Sequence, residues 1–291
     1  MKLELRDLSK SFGSRNVLNG ISFSIGRSEI FGLLGPNGAG KTTMIRIILD
    51  ILRQDSGTVR LFGKPFSEEV KDRIGYLPEE GSLYRDTSVI DCIKYFSSLK
   101  GVKASDSRIV DLLKRFDLED HAGKKISELS KGMQRKVMII IAIVHQPDIL
   151  ILDEPFSGLD PVNRELVKNI ILDLKKKGIT IIMSTHQMDE VERMCDRILM
   201  INRGNQVLYG KLDDIKKRYG FSVFIDYRGR LPKIAGVEKI DDYGNHAELV
   251  LKKGTDTQKV LKRLVSKVEI KRFEIKTHSL NEIFISVVQD E

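Results

Sequence analysis

Eight residues, "GPNGAGKT" from Gly35 to Thr42, constrain this chain more than any other stretch. They match G-x-x-x-x-G-K-[ST], follow the apolar segment "EIFGLLG" and open the buried helical pattern "KTTMIRIILDIL". Glycines let the backbone wind so that successive N–H groups point inward at phosphate oxygens. A helix starting near Gly40 adds its positive end. The motif therefore predicts a nucleotide-phosphate cradle from Gly35, Pro36, Asn37, Gly38, Ala39, Gly40, Lys41, Thr42 and Thr43. Lys41 supplies charge for the β- and γ-phosphates, and Thr42 an oxygen ligand for Mg²⁺. The motif alone does not separate kinases, GTPases and ATPases.

Two later segments fit the same α/β plan. "DILILDEP" and "GITIIMSTH" are continuous apolar runs ending in acids, Ser, Thr or His. Strands of a doubly covered parallel sheet read this way, with chemistry at their carboxyl ends. Asp153 is suited to holding Mg²⁺, and Glu154, pointing the other way, to orienting or deprotonating an attacking water. Between the strands, "DPVNRELVKNIILDLKKKG" reads as a helix with Pro161 at its first position and Gly178 past its end.

The segment from about 86 to 146 reads as helical and finishes in "ELSKGMQRKVMIIIAIV". Here a polar helix start runs into the apolar stretch Val137 to Val144. Ser130 fits two compatible roles, capping the helix and offering a hydroxyl beside free N–H groups to an anion.

Phosphate loop, "LSKGM", "LILDEP", "SGLD" and "STH", in that order, resemble the ATP-binding-cassette ATPases over about residues 1 to 210. The resemblance implies a P-loop NTPase with a mostly parallel sheet, an antiparallel β subdomain and a helical subdomain. It implies ATP and Mg²⁺ as cofactors, and a signature, here Ser130 and Gly132, that faces the γ-phosphate held by a second subunit. Lys131 and Met133 stand where Gly and Gln are usual. His186 takes the place of a histidine that touches the γ-phosphate and helps position the water. Lys41, Glu154 and His186 are thus the implied catalytic set. Phe12 falls where the family stacks an aromatic on adenine, and equally reads as an ordinary strand-end aromatic. Glu79 replaces a glutamine that ligates Mg²⁺ in many relatives. Asp160 is a helix cap on physical grounds, to which the resemblance adds communication between two sites.

After Gly210 the texture changes. Residues 213–291 hold strands "FSVFIDY", "HAELVL" and "VEIKRFEIK", and two helices with capping-box spacing at Thr255/Gln258 and Ser279/Glu282. They are expected to form a small α+β domain beside a nucleotide-binding domain of residues 1–212. The segments "GYLPEE", "LSKGM" and "SLNEIF" look most like ATPase subunits of type-2 bacterial exporters.

The remaining expectations concern partners. In the resembled family a second subunit's signature completes each ATP site, so one phosphate loop and one signature imply a second cassette subunit, with a homodimer expected ahead of a heterodimer, and, for a transporter, an integral membrane permease. Segment 79–100, with Leu83 and Tyr84, is the natural face for the permease. No apolar run approaches the roughly 18 residues of a membrane span, and "MKLELRDLSKSF" lacks a signal-peptide core. A cytoplasmic protein, peripheral on the inner membrane face through the permease, is expected. Two widely spaced cysteines, Cys92 and Cys195, argue against a zinc site. The net charge of +8 is spread among interleaved acids, so no nucleic-acid partner is expected. The rival reading is a soluble cassette ATPase acting on nucleic acid or ribosomes. Such proteins carry two cassettes or a very long coiled-coil insertion. Here about 110 residues without a heptad repeat separate Lys41 from Asp153.

Overall fold

The computed structural model describes residues 1–102, 105–252 and 254–289. It divides the chain into two compact units, Met1–Tyr209 and Gly210–Glu291.

The first unit begins with an antiparallel layer. Strands β1 (Leu3–Phe12) and β2 (Arg15–Ile25) pair, and the later β4 (Ser56–Leu61) joins the other edge of β1. Leu3 and Leu5 alternate inward, and the register then shifts before Leu8. Asp7, with φ 48°, takes up the extra residue, so Leu8 regains the buried face.

The main sheet is built from β3 (Ile30–Leu34), β5 (Ile74–Leu77), β6 (Ile149–Asp153), β7 (Thr180–Thr185), β8 (Arg197–Asn202) and β9 (Asn205–Lys211). Their order is β5-β6-β7-β3-β8-β9, with parallel pairing from β5 through to β8. Every residue of β3, β6 and β7 is buried, which explains the apolar runs that precede the polar ends of β6 and β7. Leu34 pairs with Thr185, and Asp153 with Ser184. The ends of these three strands thus lie side by side. Arg203 (φ 45°) and Gly204 (φ 81°) turn β8 into β9, with the positive φ pair of a type I′ hairpin.

Helix α1 (Lys41–Ile48) follows β3, and the short α2 (Glu68–Lys71) precedes β5. Between β5 and β6 lie α3 (Val89–Leu99), α4 (Asp106–Arg115) and α5 (Lys131–Ile143). Serines cap all three: Ser88 accepts from Asp91 N, Ser105 from Arg108 N and Ser130 from Met133 N. Helices α6 (Pro161–Lys176) and α7 (Met188–Met194) complete this unit. The sequence reading passed over β4, which is partly polar, and β5, which is only four residues long.

The second unit holds α8 (Leu212–Arg218), β10 (Phe221–Arg228), β11 (Val237–Asp242), β12 (His246–Leu251), α9 (Thr257–Val265), β13 (Glu269–Thr277) and α10 (Leu280–Gln289). The strands form an antiparallel sheet in the order β11-β12-β10-β13. Val223, Ile225 and Tyr227 pack with Ala247, Leu249, Val260 and Leu264 into its core. Ser279 and Glu282 make the expected reciprocal box, Ser279 N to the carboxylate at 2.7 Å and Glu282 N to Ser279 Oγ at 3.2 Å. The Thr255/Gln258 expectation is corrected. Asp256 caps α9, accepting from Gln258 N at 2.9 Å, while the Thr255 hydroxyl donates to Gly236 O. A carboxylate one residue closer to the helix is the better acceptor for those N–H groups.

Candidate nucleotide site

The loop after β3 is held where only glycine fits. Gly35 has φ 147°, and a Cβ there would lie 2.2 Å from Ile201 O. Gly40 has φ 111°, and its Cβ would meet Leu18 Cδ2 at 2.7 Å and Val17 O at 2.8 Å. The loop is therefore seated against the β2 and β8 backbones. No side chain caps α1, which leaves its first N–H groups available to an anion. Lys41 Nζ donates to Gly35 O at 2.7 Å and Pro36 O at 3.1 Å. Burial holds the Lys41 pKa below its ordinary value, against the opposing pull of Glu154, Asp153 and Glu79.

Asp153 ends β6 at 1% exposure. Its carboxylate accepts from the Ser184 hydroxyl on one oxygen and, on the other, from Thr42 Oγ1 at 3.3 Å. Glu154, also buried, adopts the left-handed φ of 49°. Its N–H donates to Ser184 O at 3.1 Å. Thr185 Oγ1 lies 3.4 Å from its Oε2, and His186 Nδ1 lies 2.8 Å from its Oε1. Among the described residues no group of three or more His, Cys, Asp or Glu side chains gathers to hold a metal. One threonine hydroxyl and one carboxylate beside a phosphate cradle fit a Mg²⁺ that keeps waters and phosphate oxygens for its other ligands.

Lys41, Thr42, Asp153 and Glu154 border one cleft of about 470 Å³, whereas His186 touches Glu154 without lining it. Phe12 opens one wall, 50% exposed, with Lys10 Nζ 5.5 Å from its ring centre. Asn37, Gly38, Gly40 and Lys41 to Thr43 line the cleft, as do Glu79, Asp153 and Glu154. Gly35, Pro36 and Ala39 do not line it; Gly35 and Ala39 are buried in the loop and Pro36 is exposed. Ser130, Gly132 and Asp160 do not border the cleft. Gly132 instead approaches the segment before Asp160: a Cβ on it would lie 3.5 Å from Gly158 O and 3.6 Å from Leu159 Cδ2. Asp160 caps α6, accepting from Val162 N and Asn163 N at 3.0 Å each. The Asn163 N–H foremost keeps its carboxyl below the usual range.

The ABC transporter family profile matches residues 18–157, and that of the "ATP-binding protein DrrA1-3-like, C-terminal domain" matches residues 210–288. An uncharacterized ABC transporter ATP-binding protein of Methanocaldococcus jannaschii is 46% identical over 234 residues, 80% of this chain and 86% of that protein. The chain belongs to the ATP-binding proteins of ABC transporters. This cassette ATPase is also similar to the Nod factor export ATP-binding protein I of Burkholderia orbicola, at 39% identity over 72% of the chain and 70% of the relative. A solved structure described as the ATP-binding subunit of an ABC transporter overlays with a TM-score of 0.70 at 32% identity, covering 75% of this chain and 93% of that one.

Three features of the cassette escaped the sequence reading. Arg15 and Val17, at the start of β2, join Phe12 in the cleft wall, where no motif marks them. Arg135, in α5, is buried against the carboxylate segment. Its only signal was the cation pair Arg135–Lys136 directly before the apolar run from Val137.

Proposed function

We propose that this ATPase powers a separate membrane permease, as an exporter, through an ATP-driven dimer of cassettes. The observation carrying the dimer is the division of the site. Lys41, Thr42, Asp153, Glu154 and His186 come together within one chain, while Ser130, Gly132 and Asp160 stand apart from that cleft. A second copy is needed to bring its own Ser130 and Gly132 to the γ-phosphate.

Within the cleft, Phe12 stacks on the base, and the loop N–H groups with Lys41 hold the phosphates. Thr42 and Asp153, with Glu79 nearby, would hold a Mg²⁺, which would supply neutralisation of phosphate charge. Glu154 accepts the proton of the attacking water, and His186 fixes that carboxylate and reaches toward the γ-phosphate. Residues 1–212 then make up the nucleotide-binding domain, with its helical subdomain at about 86–146, and residues 213–291 an accessory domain.

An apolar hollow of about 380 Å³ lies beside the expected permease face, bordered by Leu83, Phe96, Leu99, Met138 and Ile141. Tyr84 and Leu99 there are 55% and 62% exposed, a concentration of apolar surface that suits a membrane subunit's loop. Among the described residues no helix is long and apolar enough to cross a membrane, and the proposed permease is a separate protein. The word "export" in a relative's name supports the direction.

The test is the solution mass of Glu154→Gln protein by light scattering, with and without Mg-ATP. A monomer that becomes a dimer only with ATP supports the divided site. Protein that binds ATP and stays monomeric under all loadings removes the homodimer.

A further inference from the structure

Five residues beyond Ser130 on the same helix, Arg135 reaches two segments of backbone at once. The side chain is buried, at 6% exposure. Nη1 donates to Pro78 O at 2.7 Å and Glu79 O at 2.9 Å. Nη2 donates to Asp153 O at 2.6 Å and Glu154 O at 2.7 Å. The first pair of carbonyls follows β5, and the second closes β6. All four acceptors are main-chain oxygens, so the guanidinium is gripping backbone rather than neutralising a single carboxylate.

The charge is held there against the cost of burial. Burial lowers the Arg135 pKa, while Asp153, Glu79 and Glu154 raise it, and a guanidinium remains protonated in proteins in any case. A planar fork can serve two pairs of carbonyls in fixed directions. A lysine ammonium, as a point charge on a flexible stem, cannot reproduce that geometry.

What the grip holds is a strained residue. Glu154 sits at φ 49°, a conformation disfavoured for any residue with a side chain. Such a conformation persists only where neighbours over-determine it. Its N–H is tied to β7 through Ser184 O, and its carbonyl is tied to α5 through Arg135. Between those two anchors the carboxylate is aimed at His186.

We propose that Arg135 is a positioning residue of the ATPase, clamping the Glu79 and Asp153–Glu154 backbones to α5 so that their side chains face the nucleotide in a fixed geometry. This rests on the reading of Glu154 as the group that activates water.

Arg135→Gln and Arg135→Lys are compared with Glu154→Gln in the full-length chain. Steady-state ATPase, binding of a fluorescent ATP analogue and thermal unfolding are recorded for each. Arg135→Gln is expected to lower kcat tenfold or more while KM and nucleotide affinity stay within about twofold, and Arg135→Lys to fall between it and the parent. A residue that only stabilises the fold would lower Tm and leave kcat per folded molecule unchanged, which overturns the proposal. Arg135→Gln at the parent rate, with Glu154→Gln inactive, overturns it as well. Glu154→Gln at the parent rate overturns the Glu154 reading and with it the route proposed for Arg135. Should Arg135→Gln fail to fold, Arg135→Lys decides. A normal Tm with reduced kcat upholds the clamp, and a parental kcat removes it.

Discussion

His186 Nδ1 lies 2.8 Å from Glu154 Oε1, although the histidine is half-exposed and the carboxylate buried. The ring therefore holds one oxygen of a carboxylate whose backbone is already fixed from β7 and α5. If the two act as one unit on the attacking water, their losses will not add. Glu154→Gln is expected to lower turnover about 10²- to 10⁴-fold with ATP binding retained. His186→Ala is expected to lower it on the order of 10²-fold. The double variant should be no slower than Glu154→Gln alone. Single-turnover rates of all three variants check this, and multiplicative losses would mean independent roles.

Lys41 gives the site a pH dependence whose sign follows from its environment. Burial lowers its pKa below the ordinary 10.5, and only the protonated amine attracts phosphate. ATP affinity should hold constant at lower pH and fall as pH rises through the lowered pKa, before 10.5 is reached. ATP binding in that window should take up a proton, readable as buffer-dependent heat in calorimetry. Lys41→Ala should abolish the proton uptake. It should also weaken binding about 10- to 100-fold, the scale of a lost charged hydrogen bond.

The loop glycines should rank by what surrounds them. At Gly38 (φ 77°) the nearest atom to an added Cβ is Arg15 Nη2 at 3.8 Å, so alanine adds conformational strain only, about 1–2 kcal/mol. At Gly40 the same change adds a collision with Val17 O and Leu18, and should cost about 2–5 kcal/mol. Thermal unfolding of Gly38→Ala and Gly40→Ala, without nucleotide, checks the order. Equal losses would mean that the loop relaxes away from β2.

The sequence made the site legible wherever chemistry and backbone geometry demanded the same residues. The motif's Gly35 and Gly40 fall where positive φ and close approach of neighbouring atoms demand glycine, so the loop could be read residue by residue. Asp153, Glu154 and His186 stand at the ends of buried runs, which a covered parallel sheet brings side by side. Arg135 was missed because its partners are carbonyls, which carry no side-chain signature, and they lie about 20 and 57 positions away. Arg15 and Val17 were missed because the cleft wall depends on how β2 folds back along β1. In the second unit, β11 was missed because "VEKIDD" is a charged edge strand, and edge strands favour charge over alternation. The shift from Thr255 to Asp256 as the cap of α9 is the one-residue uncertainty inherent in helix ends.

The apolar face near α3 yields a test of the permease partner. Tyr84 packs edge-on to Tyr95 and stacks with Phe96, with ring centres 5.4 and 6.0 Å apart, yet remains more than half exposed. A photo-crosslinker at Tyr84 is expected to capture a membrane protein in cells, whereas one at Val162, which is 80% exposed on α6, should not. Phe96→Ser should leave ATP affinity within twofold and reduce transport. Crosslinks at Tyr84 that capture no membrane subunit would count against this face.

Ser130 has two roles that one substitution can separate. Its hydroxyl accepts from Met133 N at 3.2 Å, so it caps α5 in the isolated chain. Aspartate caps as well as serine does, and a negative group at a helix start is favoured by the dipole. Ser130→Asp should therefore keep the unfolding temperature nearly unchanged, whereas Ser130→Ala should cost about 1 kcal/mol. Across a dimer interface the order reverses. A carboxylate about 4 Å from a phosphate charge costs on the order of 4 kcal/mol at an effective dielectric of about 20, enough to suppress an ATP-driven dimer more than 10²-fold. Alanine adds no repulsion there. In the Glu154→Gln background, light scattering with Mg-ATP should thus show dimers for Ser130→Ala and monomers for Ser130→Asp. Dimers from both would confine Ser130 to its cap and leave the phosphate contact to the backbone N–H groups beside it.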